Sequence, residues 1–503
     1  MTITSVNPVD GTVVGTVPET SPDELRAVLA AASAAVGVGD TADRVRWMTA
    51  VADALDARAA DLIPLADQES GLGHPRLTSE LGRTTGQLRF LAGYAASGQP
   101  FEPTIDTADP GWTPTPRSDL RSIKVGIGVA LVFAASNFPF AFSVAGGDTA
   151  SAWAAGCPVV VKAHPGHALL SEAVGQAVRD ALTAAGAPEG FFALVHGFEA
   201  GVAALAADEV AVGAFTGSVA GGTALHAIAA GRERPIPFFA EMGSVNPVVV
   251  TERAARERAE SIAEGLAGSF LLGAGQFCTK PGLVIVPADS DLPERLTALV
   301  TDRPAPVLLH HGIRDRHATG IMGLLGRSGV ELAGTGQEPP AGDGAHARIT
   351  VASTTAATLL ADVEGVTEEH FGPSTVFVTY SSAAELRAVL AAVPGSLTGT
   401  VHRGADEDIA EVVALLARRA GRVVVDEWPT GVAVTWAQFH GGPHPATTDA
   451  RFTSVGAGAI TRFLRPVAYQ NTPADALPIW LRDANPDGIV RRVDGVLTTA
   501  AVN

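Results

Sequence analysis

Cysteine is scarce in this sequence, where only Cys157 and Cys278 occur among 503 residues. Two thiols so far apart cannot form the dense disulfide framework of small secreted proteins. The first residues also lack the basic and apolar regions of an export signal. We therefore expect a cytoplasmic protein.

Positive charge is also in deficit, because 35 basic residues face 53 acidic ones and leave a net charge of −18. This balance argues against an extended surface for nucleic acid or an anionic membrane. Hydrophobic residues make up 47% of the chain, enough to fill the cores of two or three domains. The composition favours a globular protein that acts on small molecules.

One long uncharged run, residues 125–147, has the length of a membrane span. Asn137, Pro139 and flanking glycines interrupt it, and their backbone groups could not be satisfied in lipid. The run instead predicts a buried strand, a loop and a buried helix.

The pattern along the chain predicts an α/β protein with two sheet-containing domains. Residues 22–98 have mostly helical periodicity, and from Lys124 short apolar runs alternate with alanine-rich helices, which indicates βαβ units and a parallel sheet. A second set of such runs follows Glu241. The tail from about residue 460 is interpreted either as an edge strand for a partner or as a strand of the same subunit.

Cys278 lies in GAGQFCTKPG, where small residues and glycines expose backbone N–H groups, a setting that favours a nucleophile. Glu241, in FFAEMGSVNP, follows an apolar strand and could be a general base or a salt-bridge partner. Cys157 leads into an apolar strand and is interpreted as buried and inert.

Three further motifs lie where predicted strands end. FTGSVAGG places Gly217, Ser218 and Gly222 at a strand-to-helix turn, where backbone N–H groups can face a phosphate. Lys162, in VVVKAHPGHA, could bind a ribose or phosphate or simply end a solvated strand. Asn137, in SNFPF, offers an amide donor or forms a turn.

Taken in order, ASNFPF, VVVKAH, FTGSVAGG, AEMG, GQFCTKPG and EEHFGPS resemble the NAD(P)-dependent aldehyde dehydrogenase superfamily over nearly the whole chain. Longer stretches resemble the branch that contains 2-oxoglutarate semialdehyde (2,5-dioxopentanoate) dehydrogenases and an NADP-linked fatty aldehyde dehydrogenase. The resemblance implies a Rossmann-like cofactor domain at 1–241 with a β oligomerisation excursion near 110–126. It also implies an α/β catalytic domain at 242–440, a return segment and oligomerisation tail at 441–503, and a dimer or tetramer.

The resemblance also implies the roles of the site residues. Cys278 would attack the aldehyde, Asn137 and the Cys278 backbone N–H would hold the oxyanion, and Glu241 would activate the water that hydrolyses a thioester. No metal is implied. The residues implied to hold NAD(P) are Lys162, Gly217, Ser218, Gly222, Glu369 and Phe371.

One departure from the family pattern concerns the cofactor. Many NAD-preferring relatives have a glutamate three positions after the strand-end lysine, where this chain has Pro165. Without a carboxylate to repel a 2′-phosphate, we expect NADP to be accepted or preferred, with His164 as a phosphate contact.

The substrate residues are less sharply defined. Arg83 and Arg89 lie on a predicted helix similar to the family's tunnel-lining helix, where they would bind a substrate carboxylate or form surface ion pairs. Phe138 and Phe142 could form an apolar wall that also suits a fatty aldehyde. By the same resemblance, His440 lies in a loop near the site. The alternatives to a semialdehyde dehydrogenase are a fatty aldehyde dehydrogenase, a CoA-acylating relative and a cysteine hydrolase that uses one of the 13 histidines.

Overall fold

The computed structural model describes residues 1–502, which begin with a β-hairpin and four helices. The first helix starts with a capping box, in which Ser21 and Glu24 each bond the other's backbone N–H. Predicted helicity over residues 22–98 agrees with these four helices. The elements are β1 (Thr2–Val6), β2 (Val13–Pro18), α1 (Pro22–Ala34), α2 (Thr41–Ala57), α3 (Ala59–Ser70), α4 (His74–Ala96), β3 (Thr104–Asp106) and β4 (Leu120–Gly126).

The next segment forms a five-stranded parallel sheet of Rossmann-like type, with strand order β7-β6-β5-β8-β9. Its strands read as continuous apolar runs because helices cover the sheet. The elements are β5 (Val129–Phe133), α5 (Gly147–Ala155), β6 (Val159–Lys162), α6 (Ala168–Ala184), β7 (Phe192–Val195), α7 (Phe198–Ala206), β8 (Val210–Thr216), α8 (Val219–Ala230) and β9 (Phe238–Glu241).

A seven-stranded sheet follows, with the order β12-β13-β14-β11-β10-β15-β16, in which only the β12–β13 pair is antiparallel. The elements are β10 (Pro247–Val250), α9 (Glu252–Phe270), β11 (Leu283–Pro287), α10 (Leu292–Val300), α11 (His311–Leu325), β12 (Glu331–Thr335), β13 (Thr350–Thr355), α12 (Ala356–Ala361), α13 (Val363–Val366), β14 (Ser374–Tyr380), α14 (Ala383–Ala392), β15 (Ser396–His402), α15 (Ala410–Ala417) and β16 (Ala420–Val425). This sheet agrees with the predicted second α/β domain.

The C-terminal segment adds β17 (Leu464–Gln470), β18 (Arg491–Val493) and β19 (Val496–Thr498) to a third sheet with the order β17-β4-β3-β18-β19. All seven residues of β17 pair antiparallel with β4 of the same chain. Of the two interpretations of the tail, the structure therefore supports the strand of the same subunit. β17 and β19 are the two edges of this sheet.

The uncharged run at 125–147 contains the end of β4, the buried strand β5, a loop and the start of α5. No helix among residues 1–502 has both the length and the apolar character needed to cross a membrane. Within this run, β5 belongs to the five-stranded parallel sheet and is buried along its whole length.

Candidate active site

The carboxyl ends of neighbouring parallel strands place the first site residues side by side. Glu241 is the last residue of β9, whose neighbour β8 ends at Thr216, directly opposite Glu241. β5 lies next to β8 and leads into the loop that contains Asn137. Ligands of open α/β sheets bind at this edge because the connecting loops diverge there.

Cys278 lies in a tight connection between α9 and β11. Gly273 and Gly275 there have φ angles of 57° and 72°, a conformation that glycine adopts without strain. A Cβ on Gly275 would collide with the backbone of Gly372, so the two loops are in direct contact. The Asn246 amide donates to the Cys278 carbonyl oxygen at 2.8 Å and fixes the nucleophile loop against β10. Cys278 stays partly exposed.

His440 lies between the nucleophile and the carboxylate. Its Nε2 atom is 3.3 Å from Cys278 Sγ and 2.9 Å from Glu241 Oε1. The Ser454 hydroxyl donates to the other carboxylate oxygen of Glu241. His440 and Glu241 are both almost fully buried, at 1% and 4% exposure. The structure thus brings Cys278, His440 and Glu241 into one buried row.

The electrostatics of this row keep Glu241 ionised and the thiol protonated. Burial alone would raise the pKa of Glu241, but the charge and hydrogen bond of His440 outweigh burial and lower it. Burial, together with the negative charge of Glu241, raises the pKa of the Cys278 thiol well above its usual value. A thiol of this kind needs a nearby acceptor for its proton.

Asn137 is oriented by a backbone carbonyl of the nucleophile loop. Its Nδ2 atom donates to the Gln276 carbonyl oxygen at 2.9 Å, which leaves the second N–H of the amide unused. Arg76 donates to the Asn137 carbonyl oxygen at 2.6 Å and holds this loop from the other side. The side chain is therefore fixed beside Cys278 with one donor to spare.

Lys280, two residues after the nucleophile, is buried and bonded entirely to backbone. Its Nζ atom donates to the carbonyl oxygens of His370, Gly372 and Ser374 at 2.6, 3.1 and 3.0 Å. Burial lowers the pKa of Lys280 to about 8. These three bonds connect the nucleophile loop to the segment after Glu369.

Glu369 lies at the other end of that segment. Burial raises the pKa of Glu369 to about 7, against the opposing charge of Lys280. Its carboxylate also accepts a hydrogen bond from the Ser244 backbone N–H. Phe371, two residues further, packs partly buried against Leu308 and Ile313. A carboxyl group of this kind, largely removed from bulk solvent, can form a hydrogen bond with a hydroxyl group of a bound ligand.

Lys162 and His164 lie where β6 ends. The Lys162 ammonium forms no ion pair with residues 1–502, and burial lowers its pKa to about 8. His164 Nδ1 accepts the Gly166 N–H at 3.1 Å, so its proton is on Nε2. Burial and neighbouring positive groups lower the pKa of His164 well below its usual value. His164 can therefore contact a phosphate as a neutral donor.

The start of α8 forms the predicted strand-to-helix turn. Ser218 caps the helix and accepts the Gly221 N–H at 3.2 Å. A Cβ on Gly222 would lie 2.6 Å from Met242 Sδ, so only glycine lets α8 pack this close to the strand end. The Gly217 N–H donates to the Glu241 carbonyl oxygen, which joins this turn to the catalytic strand. The helix turn at Gly217 and Ser218, together with the half-buried Lys162 and Glu369, fits a dinucleotide.

The two candidate arginines differ in surroundings. Arg89 is 41% exposed and pairs with Asp53 and Asp56 at 2.6 and 2.7 Å, so the structure favours the surface ion-pair interpretation for Arg89. Arg83 instead lies over the rings of Phe138 and Phe142, at 5.7 and 5.2 Å. Its Nε and Nη2 atoms are buried and have no hydrogen-bond partner among residues 1–502.

An aromatic path leads from Arg83 to the nucleophile. The Phe138 ring lies 5.3 Å from Phe142 and 5.1 Å from Phe277, the neighbour of Cys278. These rings form the apolar wall that the sequence predicts. The guanidinium of Arg83 lies against this wall without an ion-pair partner. Arg76 also lies over Phe138 and Phe277, but it is engaged with the Asn137 carbonyl.

Several residues of the site were not found by sequence reasoning. Ser454 bonds Glu241, Lys280 bonds the segment after Glu369, and Arg76 bonds the Asn137 loop. Each contact joins distant parts of the chain. Lys280 stood within the nucleophile motif itself, where a lysine in an apolar, glycine-rich segment was an available signal. The sequence offered no comparable signal for Ser454.

Comparison with known proteins identifies the family of this chain. The sequence matches the aldehyde dehydrogenase family over residues 1–454. The chain belongs to the aldehyde dehydrogenase family. It is 43% identical over 462 residues to the alpha-ketoglutaric semialdehyde dehydrogenase of Acinetobacter baylyi, covering 90% of this chain and 87% of that protein. It is 45% identical over 461 residues to alpha-ketoglutaric semialdehyde dehydrogenase 2 of Azospirillum brasilense, with the same coverage.

Solved structures of aldehyde dehydrogenases share the fold. The crystal structure of an NAD-dependent aldehyde dehydrogenase from Sinorhizobium meliloti superposes with a TM-score of 0.78 at 25% identity, covering 95% of this chain and 93% of that one. The aldehyde dehydrogenase fold predicted from the motifs is therefore confirmed. This aldehyde dehydrogenase is an NAD(P)-dependent aldehyde oxidoreductase.

Proposed function

We propose that this enzyme oxidises 2-oxoglutarate semialdehyde to 2-oxoglutarate. Two similar proteins are named alpha-ketoglutaric semialdehyde dehydrogenases, after this activity. The unpartnered guanidinium of Arg83 supports the same substrate. The substrate is a short aldehyde with a carboxylate at its other end, so its site must combine a nucleophile with a cation. Arg83 is the observation on which the proposal chiefly rests.

A buried guanidinium without a partner is costly unless a ligand satisfies it. Arg83 lies on the aromatic path to Cys278, and its positive charge opposes the rise in the pKa of that thiol. A carboxylate bound to Arg83 would regain two charge-assisted hydrogen bonds, because the guanidinium fork matches a carboxylate. A long alkyl chain would leave the charge unpaired, which disfavours the fatty aldehyde alternative.

The first chemical step begins with the thiol proton. As Sγ attacks the aldehyde carbon, its proton passes to the Glu241 carboxylate, which the Nε2–H of His440 holds in place, and Glu241 releases this proton to solvent before the second step. The unused N–H of Asn137 and the backbone N–H of Cys278 stabilise the oxyanion of the thiohemiacetal.

The second step converts the thioester to the acid. When bound, NAD(P) would supply the hydride acceptor. Loss of hydride from the thiohemiacetal would leave a thioester on Cys278. Glu241, whose lowered pKa keeps it ionised, takes a proton from the water that attacks the thioester. The Ser454 hydroxyl keeps the carboxylate aimed at this position. The sulfur of Cys278 is then released as a thiolate beside His440 and Glu241.

Lys162, Ser218, Gly217 and Glu369 would hold the cofactor in this proposal. We propose a preference for NADP, because Pro165 stands where a glutamate would repel a 2′-phosphate and His164 is a neutral donor nearby. A kcat/KM for NADP more than about tenfold below that for NAD would refute this preference.

We further propose a homo-oligomer in the cytoplasm. The sheet edge at β17 is available for a symmetric contact between subunits. Both cysteines are unpaired, as in proteins of reducing compartments. Light scattering should give a mass that is a multiple of 51.3 kDa.

Initial rates test the substrate and the reaction class. NADPH and NADH formation are measured with 2,5-dioxopentanoate and, separately, with a medium-chain aliphatic aldehyde, using Cys278→Ala as the control. We expect the dioxo acid to be faster by at least about tenfold in kcat/KM. The reverse order would indicate a fatty aldehyde dehydrogenase, and a CoA requirement would indicate an acylating enzyme. Ester turnover without nicotinamide would favour the hydrolase.

Arg83→Leu tests the carboxylate contact itself. Loss of a buried charge pair costs about 2 kcal/mol or more, so kcat/KM for the dioxo acid should fall about 30-fold or more. The uncharged aldehyde should lose little. Arg89→Leu is the matched control on the same helix and should behave as the unaltered enzyme. An equal loss for both aldehydes in Arg83→Leu would contradict a carboxylate contact.

A further inference from the structure

The donor atoms of Cys278, His440 and Glu241 all lie within 4.8 Å of one another. A thiolate sulfur, an imidazole nitrogen and a carboxylate oxygen are the ligand types that Zn²⁺ prefers, whereas Mg²⁺ and Ca²⁺ prefer oxygen alone. We propose that this row is an inhibitory binding site for zinc and similar borderline-soft divalent cations, which displace the thiol proton of Cys278 and block the nucleophile.

The distances suit such a cation. Tetrahedral zinc, with bonds of about 2.3 Å to sulfur and 2.0 Å to nitrogen and oxygen, separates S from N by about 3.6 Å and N from O by about 3.3 Å. The observed separations are 3.3 Å for Sγ to Nε2 and 2.9 Å for Nε2 to Oε1. These two pairs must each open by about 0.3 to 0.4 Å, and Sγ and Oε1, which lie within 4.8 Å of each other, must reach about 3.6 Å; small side-chain rotations provide such shifts.

The surroundings also suit a metal site. The Ser454 hydroxyl bonds the far oxygen of Glu241 and so orients the near oxygen toward His440, as outer hydrogen bonds do for metal ligands. Three protein donors leave a fourth position for water. Cys278 is partly exposed, so the cation can enter from the substrate side.

The balance of charge is favourable. On binding, the Cys278 thiol releases its proton to solvent, and one thiolate and one carboxylate neutralise the two charges of the ion. No electron is transferred and no covalent bond of the substrate is involved. The bound thiolate cannot attack a carbonyl, so the ion competes with the aldehyde.

The test is direct metal binding to the full-length enzyme without cofactor, followed with a zinc indicator and, for Co²⁺, by thiolate-to-metal charge-transfer absorption. We expect one ion per chain in the unaltered enzyme and in two matched controls, Cys157→Ala and the exposed His226→Ala. Cys278→Ala and His440→Ala should each weaken binding by at least about tenfold. Equal binding by all variants, or no charge-transfer band, would refute the site.

A second measurement needs no variant. Zn²⁺ should slow alkylation of Cys278 by iodoacetamide, and EDTA should restore the rate, whereas Mg²⁺ should have no effect. Undiminished alkylation at saturating Zn²⁺ would refute the proposal even if zinc inhibited turnover. Because neither readout uses an aldehyde, an error in the proposed substrate would leave both results interpretable.

Discussion

Burial of Cys278 has two opposite consequences. It limits the access of solvent to the partly exposed nucleophile, but together with the charge of Glu241 it raises the pKa of the thiol well above its usual value. The thiolate is therefore a minor species near neutral pH, and its fraction grows as pH rises. The Glu241 carboxylate, held by the Nε2–H of His440 at 2.9 Å, gives the proton a destination at the moment of attack.

His440→Ala should slow the reaction of Cys278 with iodoacetamide at pH 7 by about tenfold or more, because the carboxylate that takes the thiol proton is no longer held in place. The rate should then rise with pH over a range above that of the unaltered enzyme, because only the free thiolate reacts. Mass spectrometry of the labelled peptide measures this rate without any substrate. His226→Ala is the control, and an unchanged profile in His440→Ala would contradict the role of His440.

Glu241→Gln should separate the two chemical steps. The amide still accepts a hydrogen bond from His440 but cannot take a proton from water, so hydrolysis of the thioester should slow by about 100-fold or more. The first step should slow less, because the free thiolate fraction attacks without a base, so a burst of about one reduced cofactor per subunit should still precede the slow turnover. Stopped-flow absorbance measures the burst. Slow turnover with no burst would instead assign Glu241 to the first step.

Among the elements, two loops that meet beyond the strand ends decide the geometry of the site. Lys280 holds the segment after Glu369 against the nucleophile loop by donating to three backbone carbonyl oxygens, and Gly275 allows the two loops to touch. A buried carbonyl group without a hydrogen-bond donor costs free energy. This connection therefore requires a donor with the length of a lysine side chain. It couples the position of Glu369 to that of Cys278.

Lys280→Met should loosen this connection and so weaken cofactor binding more than chemistry. We expect a higher KM for NADP and NAD, a smaller change in kcat, and a loss of about 3 kcal/mol of stability from the carbonyls left unpaired. Steady-state kinetics and thermal unfolding measure the two effects. Lys124→Met, a surface lysine paired with Glu102, is the control. Lower stability with an unchanged cofactor KM would show that Lys280 has a structural role only.

At the scale of the whole molecule, the C-terminal segment joins helix α5 to the site. Arg462 forms an ion pair with Asp148 of α5 at 2.7 Å, and both side chains are buried, at 4% and 8% exposure. The same segment carries Ser454 toward Glu241 and then continues as β17 beside β4. Its attachment is thus part of the catalytic geometry.

Arg462→Met should destabilise the protein by about 3 to 5 kcal/mol, because it leaves the Asp148 carboxylate buried and unpaired. The thermal unfolding midpoint should fall, while Arg465→Met, an exposed neighbour, should leave it unchanged. A midpoint equal to that of the unaltered enzyme would show that Asp148 finds another partner.

The sequence by itself determined the class of fold and the chemistry at each strand end. Apolar runs, capping residues and glycine turns are local signals, so they predicted most strands of both parallel sheets and placed Lys162, Glu241 and Cys278 where strands end or loops turn. β13, β15 and the antiparallel edge strand β12 were missed. Their mixture of polar and small residues lacks the apolar continuity of the other strands.

Only the tertiary structure decided which side chains meet. His440 lies 162 residues from Cys278 and 199 from Glu241, and no local pattern specifies that the three converge. Likewise, two arginines six residues apart on α4 looked equivalent in sequence, yet packing left Arg83 unpaired and gave Arg89 to surface aspartates. Such contacts depend on the path of loops and on which helix face is covered, and both are set by the packing of the whole chain.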